Sequence, residues 1–194
     1  MHKVVSINRK EQIKSVAQNL FREKGFAGTS MRDLAKEVGV EAASLYSHIE
    51  SKEDLLREIC FRIAQDFFDA IANVSQLDLP ADTKLEKAIV AHISVINRNL
   101  DASAVFFHEW RFLKEPYLTE FKHLRKMYEQ HFREILLEGM VQQKFTNLNI
   151  NIVLPALFSA MNWTYDWHKS ADQFKPEEIG GEIFNMIFKG IRYS

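Results

Sequence analysis

The sequence predicts an all-α protein of about nine helices, and three observations carry that prediction. Apolar residues recur at three- and four-residue spacings along most of the chain, and no useful stretch alternates with the period of two that a half-buried strand needs. Glycine and proline are scarce, seven and four in 194 residues, which argues against turn-rich β folds and low-complexity linkers. Hydrophobic residues make up 46% and charged residues 26%, a mixture that supports a sizeable core and excludes a disordered chain.

Residues 9–24 carry Ile13, Val16, Ala17, Leu20 and Phe21 on one face of an amphipathic helix that Gly25 ends. Thr29 and Ser30 precede a short second helix. Ser30 and Asp33 have the spacing of a capping box, and Met31, Leu34, Ala35 and Val38 form the helix's inner side before Gly39. A third helix is expected over 42–49. Ser51 caps a long fourth helix with Glu53 and Asp54 in its first turn, where the helix dipole favours acids. The apolar stripe of that helix runs Leu55, Leu56, Ile59, Ile63, Phe67, Ile71, Val74. After a loop over 75–82, the periodicity gives helices near 84–100, 102–113, 116–144, 149–168 and 176–192. Pro116 and Pro176 fall in first turns, where proline is tolerated. Pro155 lies inside an apolar stretch and is expected to kink its helix or mark a late start.

The single cysteine, Cys60, excludes an intrachain disulfide framework and any multi-cysteine metal site, and it reads as a core residue. The first ten residues are too weakly apolar for a secretory leader, and no apolar run approaches the ~20 residues of a membrane span. A cytoplasmic protein without membrane contact is the expectation. The net charge is −1, with nine basic and eight acidic residues in 1–54. Charge balance therefore offers little support for nucleic acid, and placement must carry any such argument. His92, His108, His123, His131 and Glu109 invite a metal or catalytic reading that their spacing does not support. His123 and His131 are too far apart for shared ligation on one helix, and no zinc-protease, dinucleotide, phosphate-loop or nucleophile-elbow pattern occurs. No catalysis, metal or cofactor is expected.

Two short helices joined at Gly39, with a longer helix in front, are the recipe of a helix-turn-helix. Ala42, Ala43 and Ser44 keep the third helix thin enough for a major groove about 12 Å wide. Leu45 and Ile49 can pack inward while Ser44, Tyr46, Ser47 and His48 face out. Arg32 and Lys52, at the starts of the second and fourth helices, are placed to reach phosphates. Thr29, Ser30 and Ala42 complete the candidate DNA-facing set. On the residues alone, Tyr46 packed on the first helix, His48 complementing a helix end and Lys52 as a solvated lysine stay open.

The run Leu20-Phe21-x-Glu23-x-Gly25-Phe26-x-x-Thr29-Ser30-Met31-Arg32-Asp33-Leu34-Ala35-x-x-Val38-Gly39-Val40 is followed by Ser44-Leu45-Tyr46-x-His48-Ile49-x-Ser51-Lys52-Glu53-x-Leu55. Over about residues 10–56 it resembles the DNA-binding domain of TetR-type transcriptional regulators. The resemblance implies a homodimer with an N-terminal operator-binding domain, residues 1–54, and a C-terminal ligand-binding and dimerisation domain, residues 55–194. It also implies phosphate contacts from Tyr46, His48 and Lys52, with Arg32, Ala42 and Ser44 near base edges. Glu41 stands where that family often has Ser, and Ala43 where Gly is frequent.

Most aromatics lie beyond residue 100, and an apolar pocket with a few polar anchors is expected there. Its candidate lining is His92, Ile96, Phe106, Phe107, Trp110, Tyr128, Trp163 and Trp167; ordinary core is the competing reading for each. Glu109-Trp110-Arg111-Phe112-Leu113 and Asn162-Trp163-Thr164-Tyr165-Asp166-Trp167 are similar to segments of TetR-type repressors of fatty-acid and sterol degradation, which bind acyl-CoA thioesters. The second stretch departs from that group after Trp167, where His168-Lys169-Ser170-Ala171 replaces its usual Tyr and Pro-Gly turn. Lys122–Lys126, Arg98 and Arg111 are candidates for CoA phosphates, and a solvated helix face is the alternative for the first of these. Met161, Gly180, Gly181, Phe184, Ile187 and Phe188 are the candidate dimer interface, the two glycines admitting a close partner helix.

The sequence thus supports a repressor released from a palindromic double-stranded DNA operator by a small apolar effector, with a fatty acyl-CoA as one candidate. Two alternatives remain: a regulator responding to flat or cationic aromatic drugs, or a helical small-molecule-binding protein with impaired DNA binding.

Overall fold

The computed structural model describes residues 9–166 and 174–191, which form nine α-helices. These are α1 (Arg9–Lys24), α2 (Met31–Val38), α3 (Ala42–Leu45), α4 (Lys52–Ser75), α5 (Ala81–Arg98), α6 (Leu100–His108), α7 (Tyr117–Val141), α8 (Ile150–Asn162) and α9 (Pro176–Ile191). Short 3₁₀ turns cover Trp110–Phe112 and Trp163–Tyr165. None of these helices is long and apolar enough to cross a membrane.

The backbone divides into two compact units, but not between residues 54 and 55. The first unit is Met1–Arg62 together with Asp101–Phe121; the second is Ile63–Leu100 together with Lys122–Ser194. Sequence reasoning read the helix-turn-helix as a contiguous segment and had no local signal that residues 101–121 join it.

In the first unit, α1 buries Ile13, Ala17, Leu20 and Phe21, the face its periodicity predicts. Ser30 caps α2 through a complete capping box. The Asp33 N–H donates to the Ser30 hydroxyl at 3.2 Å, and the Ser30 N–H donates to the Asp33 carboxylate at 2.8 Å. Gly39 ends α2 with φ at +76°, the left-handed conformation that glycine adopts without strain. The expected third helix over 42–49 closes early. Beyond Leu45 the N–H groups of Ser47 and His48 bond three residues back, so the chain turns more tightly and still buries Ile49. Glu41 provides no side-chain cap, leaving this helix short. At α4 the Asp54 N–H donates to the Ser51 hydroxyl at 3.1 Å, and Lys10 and Lys14 of α1 both bridge to Glu58.

The expected helix over 102–113 instead divides into α6, which begins at Leu100, and a 3₁₀ turn. The N–H groups of Phe112 and Leu113 bond to Glu109 and Trp110, three residues back. Within this unit the turn region carries ring contacts of Trp110 with Phe121 and of Phe112 with Phe26.

In the second unit, α5 starts one turn earlier than expected because the Ala81 N–H has a partner, the Gln142 side chain at 2.9 Å. It buries Leu85, Ala88, Ile89, Ile93, Val95 and Ile96. α7 stops at Val141, short of the expected Lys144, because Gln143 turns into the left-handed region at φ +56° and the next N–H groups fold back on Gly139. α8 runs through Pro155, so the late start is not what forms. Gly180 corrects an expectation about the dimer. A Cβ there would lie 2.7 Å from Val90 Cγ2 and 3.0 Å from Val90 Cα, so its close approach is to α5 of the same chain. Gly181 faces open space. Met161 and Phe184 are also buried within the chain, in the core of this unit, and offer no surface to a partner.

Gly180→Ala should therefore destabilise the protein by about 1–3 kcal/mol through overpacking against Val90, read as a lower urea midpoint.

Candidate functional site

The first candidate site is the outer surface of the helix-turn-helix. Leu45 and Ile49 are buried, and Ser44, Tyr46, Ser47 and His48 are exposed, Tyr46 at 57%. The structure therefore does not pack Tyr46 on α1. Arg32 and Ser30 are exposed, and Ala42 is half-buried. An open cavity of about 420 Å³ lies between the start of α2 and the start of α4, bordered by Ser30, Tyr46, Ser51 and Lys52.

Two expected residues take other positions. Thr29 is buried, and its hydroxyl serves the turn after α1, with the Gly25 carbonyl at 2.9 Å and the Leu20 carbonyl at 3.3 Å. Its side chain is a latch, not a DNA contact. Lys52 is neither a plain solvated lysine nor a free phosphate hook. Its Nζ donates to the carbonyls of Phe26 and Thr29, both at 2.9 Å, and stands 4.4 Å from the centre of the Phe26 ring. An ammonium has three donors, so one remains for a further acceptor.

The same turn is held from a second direction. The Phe26 N–H donates to Glu109 Oε2 at 2.9 Å, and Phe26 packs against Phe21 and Phe112. Arg22 pairs with Asp101 at the start of α6, and Arg57 donates to the Tyr117 hydroxyl at 2.8 Å. Cys60 is buried here. Burial first, then the nearby Glu109 charge, pushes its thiol well above the ordinary range, so it is an unreactive core group. In the sequence Glu109 invites a metal or catalytic reading and belongs to the Glu109–Leu113 resemblance, and no local signal shows that its partner lies 83 residues earlier.

The second candidate site lies in the other unit. His92 is fully buried and hydrogen-bonded on both nitrogens, with the Tyr128 hydroxyl 3.0 Å from Nδ1 and Asn162 Oδ1 3.0 Å from Nε2. Burial lowers its pKa to about 3, although the Asn162 bond pulls the other way, and burial raises the Tyr128 phenol. A neutral ring bonded to a carbonyl oxygen at Nε2 must carry its proton there. Tyr128 then donates to His92, and His92 donates to Asn162. Phe67 stacks on the imidazole at 4.5 Å, and Phe132 and Phe158 meet its edge.

Asn162 also borders a cavity of about 420 Å³ between α7 and α8 that contains Arg125, Glu129, Arg133 and Phe158. None of the expected pocket residues among the described ones lines this cavity, but Arg125, from the Lys122–Lys126 run expected to reach CoA phosphates, does. Ile96 is core, Trp163 is exposed beside Asn162, and Trp167 lies outside the described residues. Phe106, Phe107 and Trp110 belong to the first unit, whereas His92, Ile96, Tyr128 and Trp163 belong to the second. Among the described residues, no group of three or more His, Cys, Asp or Glu is arranged to hold a metal ion.

Comparison with known proteins adds two family matches. Residues 13–59 match bacterial regulatory proteins of the tetR family, and residues 78–191 match the tetracyclin repressor-like C-terminal domain. The chain is 24% identical over 193 residues to the HTH-type transcriptional repressor KstR2 of Mycolicibacterium smegmatis, covering 96% of this chain and 92% of that protein. The structure of the ketosteroid transcriptional regulator KstR2 of Mycobacterium tuberculosis superposes with a TM-score of 0.90 at 18% identity, covering 96% of each chain. That of AibR in complex with isovaleryl coenzyme A and operator DNA superposes with a TM-score of 0.80 at 22% identity, over 93% of this chain and 98% of AibR. At these identities the structures establish a shared fold.

Two expectations separate scaffold from surface. Lys52→Met should lower the unfolding free energy by about 2 kcal/mol, the scale of hydrogen bonds made by a charged group, while Tyr46→Ala should change it by less than about 0.5 kcal/mol. His92 stays neutral in the folded chain down to about pH 3, whereas in the unfolded chain it takes a proton near 6.5. Its contribution to stability is therefore complete above pH ~6.5 and is lost as pH falls from there toward 3, by up to ~1.4 kcal/mol per unit. Urea titrations should show the wild type losing about 2 kcal/mol more than His92→Phe between pH 7 and pH 5.

Proposed function

The chain belongs to the TetR family of bacterial regulatory proteins, and on that premise we propose that it is a repressor released from a palindromic operator by a small apolar effector, a fatty acyl-CoA. It is a DNA-binding transcriptional regulator and not an enzyme. The observation that carries the operator part is the exposed set Ser44, Tyr46, Ser47 and His48 on and just after α3, in a helix-turn-helix whose α1–α2 turn is held by Glu109, Thr29 and Lys52. Tyr46, His48 and the third donor of Lys52 take phosphates, which position the protein. Arg32, Ala42 and Ser44 lie toward base edges, which specify sequence. The work is done in the cytoplasm, where the operator is.

The effector class is supported by the AibR fold relative, whose structure holds isovaleryl coenzyme A. The aromatic-rich unit containing His92, Ile96, Tyr128 and Trp163 is a suitable environment for an acyl group. Release follows from a population shift. An effector that binds the DNA-free arrangement more tightly moves the equilibrium toward it, and operator must weaken effector binding by the same factor.

Dimerisation uses the outward faces of α8 and α9. Ile152 is 66% exposed and Met186 65% exposed, Gly181 is open, and Ile187 and Phe188 are half-buried beside them. Two-fold symmetry then places the recognition helices about one DNA turn apart, ~34–36 Å or slightly more.

Three outcomes test this reading. Tyr46→Ala should weaken binding to every operator sequence alike, measured by fluorescence anisotropy. A long-chain acyl-CoA should release the operator and give heat in isothermal titration; an indifferent complex refutes the effector class while leaving the regulator in place. Met186→Asp should convert a dimer to a monomer by light scattering with unchanged helical circular dichroism, and the monomer should bind the operator at least tenfold more weakly.

A further inference from the structure

The cavity between α7 and α8 has a polar order that the proposed function does not use. Arg125, Glu129 and Arg133 lie four residues apart along α7, so they share one face over two turns, with the arginine Cα atoms ~12 Å apart. The sequence is cation, anion, cation. Glu129 and Arg133 form no ion pair with any described residue. Arg133 makes one hydrogen bond, to Asn151 Oδ1 at 3.3 Å, out of five guanidinium donors. Across the groove, α8 contributes Phe158, Ser159 and Asn162. Asn162 is hydrogen-bonded to the buried chain, because His92 donates to its Oδ1. That bond fixes the side-chain amide and leaves its two N–H donors for other acceptors. At about 420 Å³ the cavity suits a ligand fragment, near the low end of the ~300–1,000 Å³ found for ligand sites.

We propose that this groove is a binding site for a phosphorylated ligand group. Arg125 and Arg133 receive anionic oxygens at its two ends, Glu129 accepts from a hydroxyl or amine between them, and Asn162 offers amide donors at its edge. A bare inorganic anion would satisfy the arginines and be repelled by Glu129. A nucleotide-like group, with phosphates separated by hydroxyl and amino donors, matches all three positions. Resting on the effector reading above, this group is the phosphoadenosine half of the acyl-CoA, and Phe158 supplies an apolar wall for its base. The Tyr128–His92–Asn162 chain makes Asn162 a positioning residue whose orientation is set from within the core.

The test uses the full-length protein and three probes in isothermal titration: palmitoyl-CoA, palmitoyl-N-acetylcysteamine, which has the thioester without phosphates, and adenosine 3′,5′-bisphosphate. Arg133→Met and Arg125→Met, each with an unchanged melting temperature and operator affinity, should weaken palmitoyl-CoA binding at least tenfold. Both should abolish measurable bisphosphate binding and leave the phosphate-free thioester within twofold of wild type. Glu129→Gln should discriminate less against inorganic pyrophosphate. Palmitoyl-CoA or bisphosphate binding that is equal in wild type and both arginine variants overturns the site while leaving the effector reading intact. Arginine-dependent bisphosphate binding in a protein indifferent to palmitoyl-CoA supports the site and removes the effector reading. No binding of the bisphosphate or of palmitoyl-CoA to wild type overturns both.

Discussion

The turn between α1 and α2 has backbone groups it cannot satisfy by itself, and the helix-turn-helix depends on how they are met. Gly25 leaves α1 in the left-handed conformation and Phe26 is buried, so the Phe26 N–H and the Thr29 carbonyl stand outside any helical ladder, and the Phe26 carbonyl has within the turn only the Thr29 N–H at 3.3 Å. An unpaired buried amide costs as much as the loss of a hydrogen bond. Here the N–H reaches Glu109 and both carbonyls reach Lys52, so one carboxylate and one ammonium close the turn from opposite chemical sides. Thr29 closes it from within. The start of α2, and through it the placement of α3, follows from this arrangement.

This gives Lys52 a meaning that neither sequence reading captured. Its position at the start of α4 fits a phosphate contact, and it borders the open cavity between α2 and α4. Yet two of its three donors hold the scaffold. On the proposed reading, a lysine in this position would deliver positive charge toward phosphate from a fixed site, without first losing the rotamer freedom of a mobile surface lysine. Glu109 has a parallel role. It belongs to residues 101–121, far along the chain from the helix-turn-helix, yet it holds the same turn. This segment therefore belongs to the same compact unit as the helix-turn-helix, whatever boundary the sequence pattern suggests.

What was legible in the sequence was whatever a local rule encodes. The face of α1, the capping box at Ser30, the glycine that ends α2, the cap and stripe of α4 and the pairing of Leu45 with Ile49 all follow from spacings of three or four. Helix ends set by distant partners did not follow: Ala81 is capped by Gln142, and α7 stops because Gln143 leaves the helical region. Periodicity also says that a face is covered without saying by what. Met161, Gly180 and Phe184 have the apolar or small character of an interface, and the chain itself covers them. Within α8 and α9 the large apolar residues left exposed are Ile152 and Met186. In the same way, the sequence leaves Arg125 open between a CoA phosphate and a solvated face, and only the opposite wall of α8 groups it with Glu129 and Arg133.

The buried Tyr128–His92–Asn162 chain has a cost that a purely apolar core would avoid. Replacing a satisfied polar network by well-packed apolar groups is often neutral for stability or better, so stability is a weak reason for its presence. His92 adds an acid-dependent penalty, because the unfolded chain can protonate where the folded chain cannot. What the network provides is direction. Tyr128 has one proton, neutral His92 has one, and the chain runs one way only, from the core to the carbonyl oxygen of Asn162. With that oxygen committed, the amide nitrogen is the group Asn162 offers at the edge of the cavity. An apolar substitute for His92 would leave the Asn162 amide free to rotate, and the edge would no longer distinguish a ligand that accepts hydrogen bonds from one that donates them.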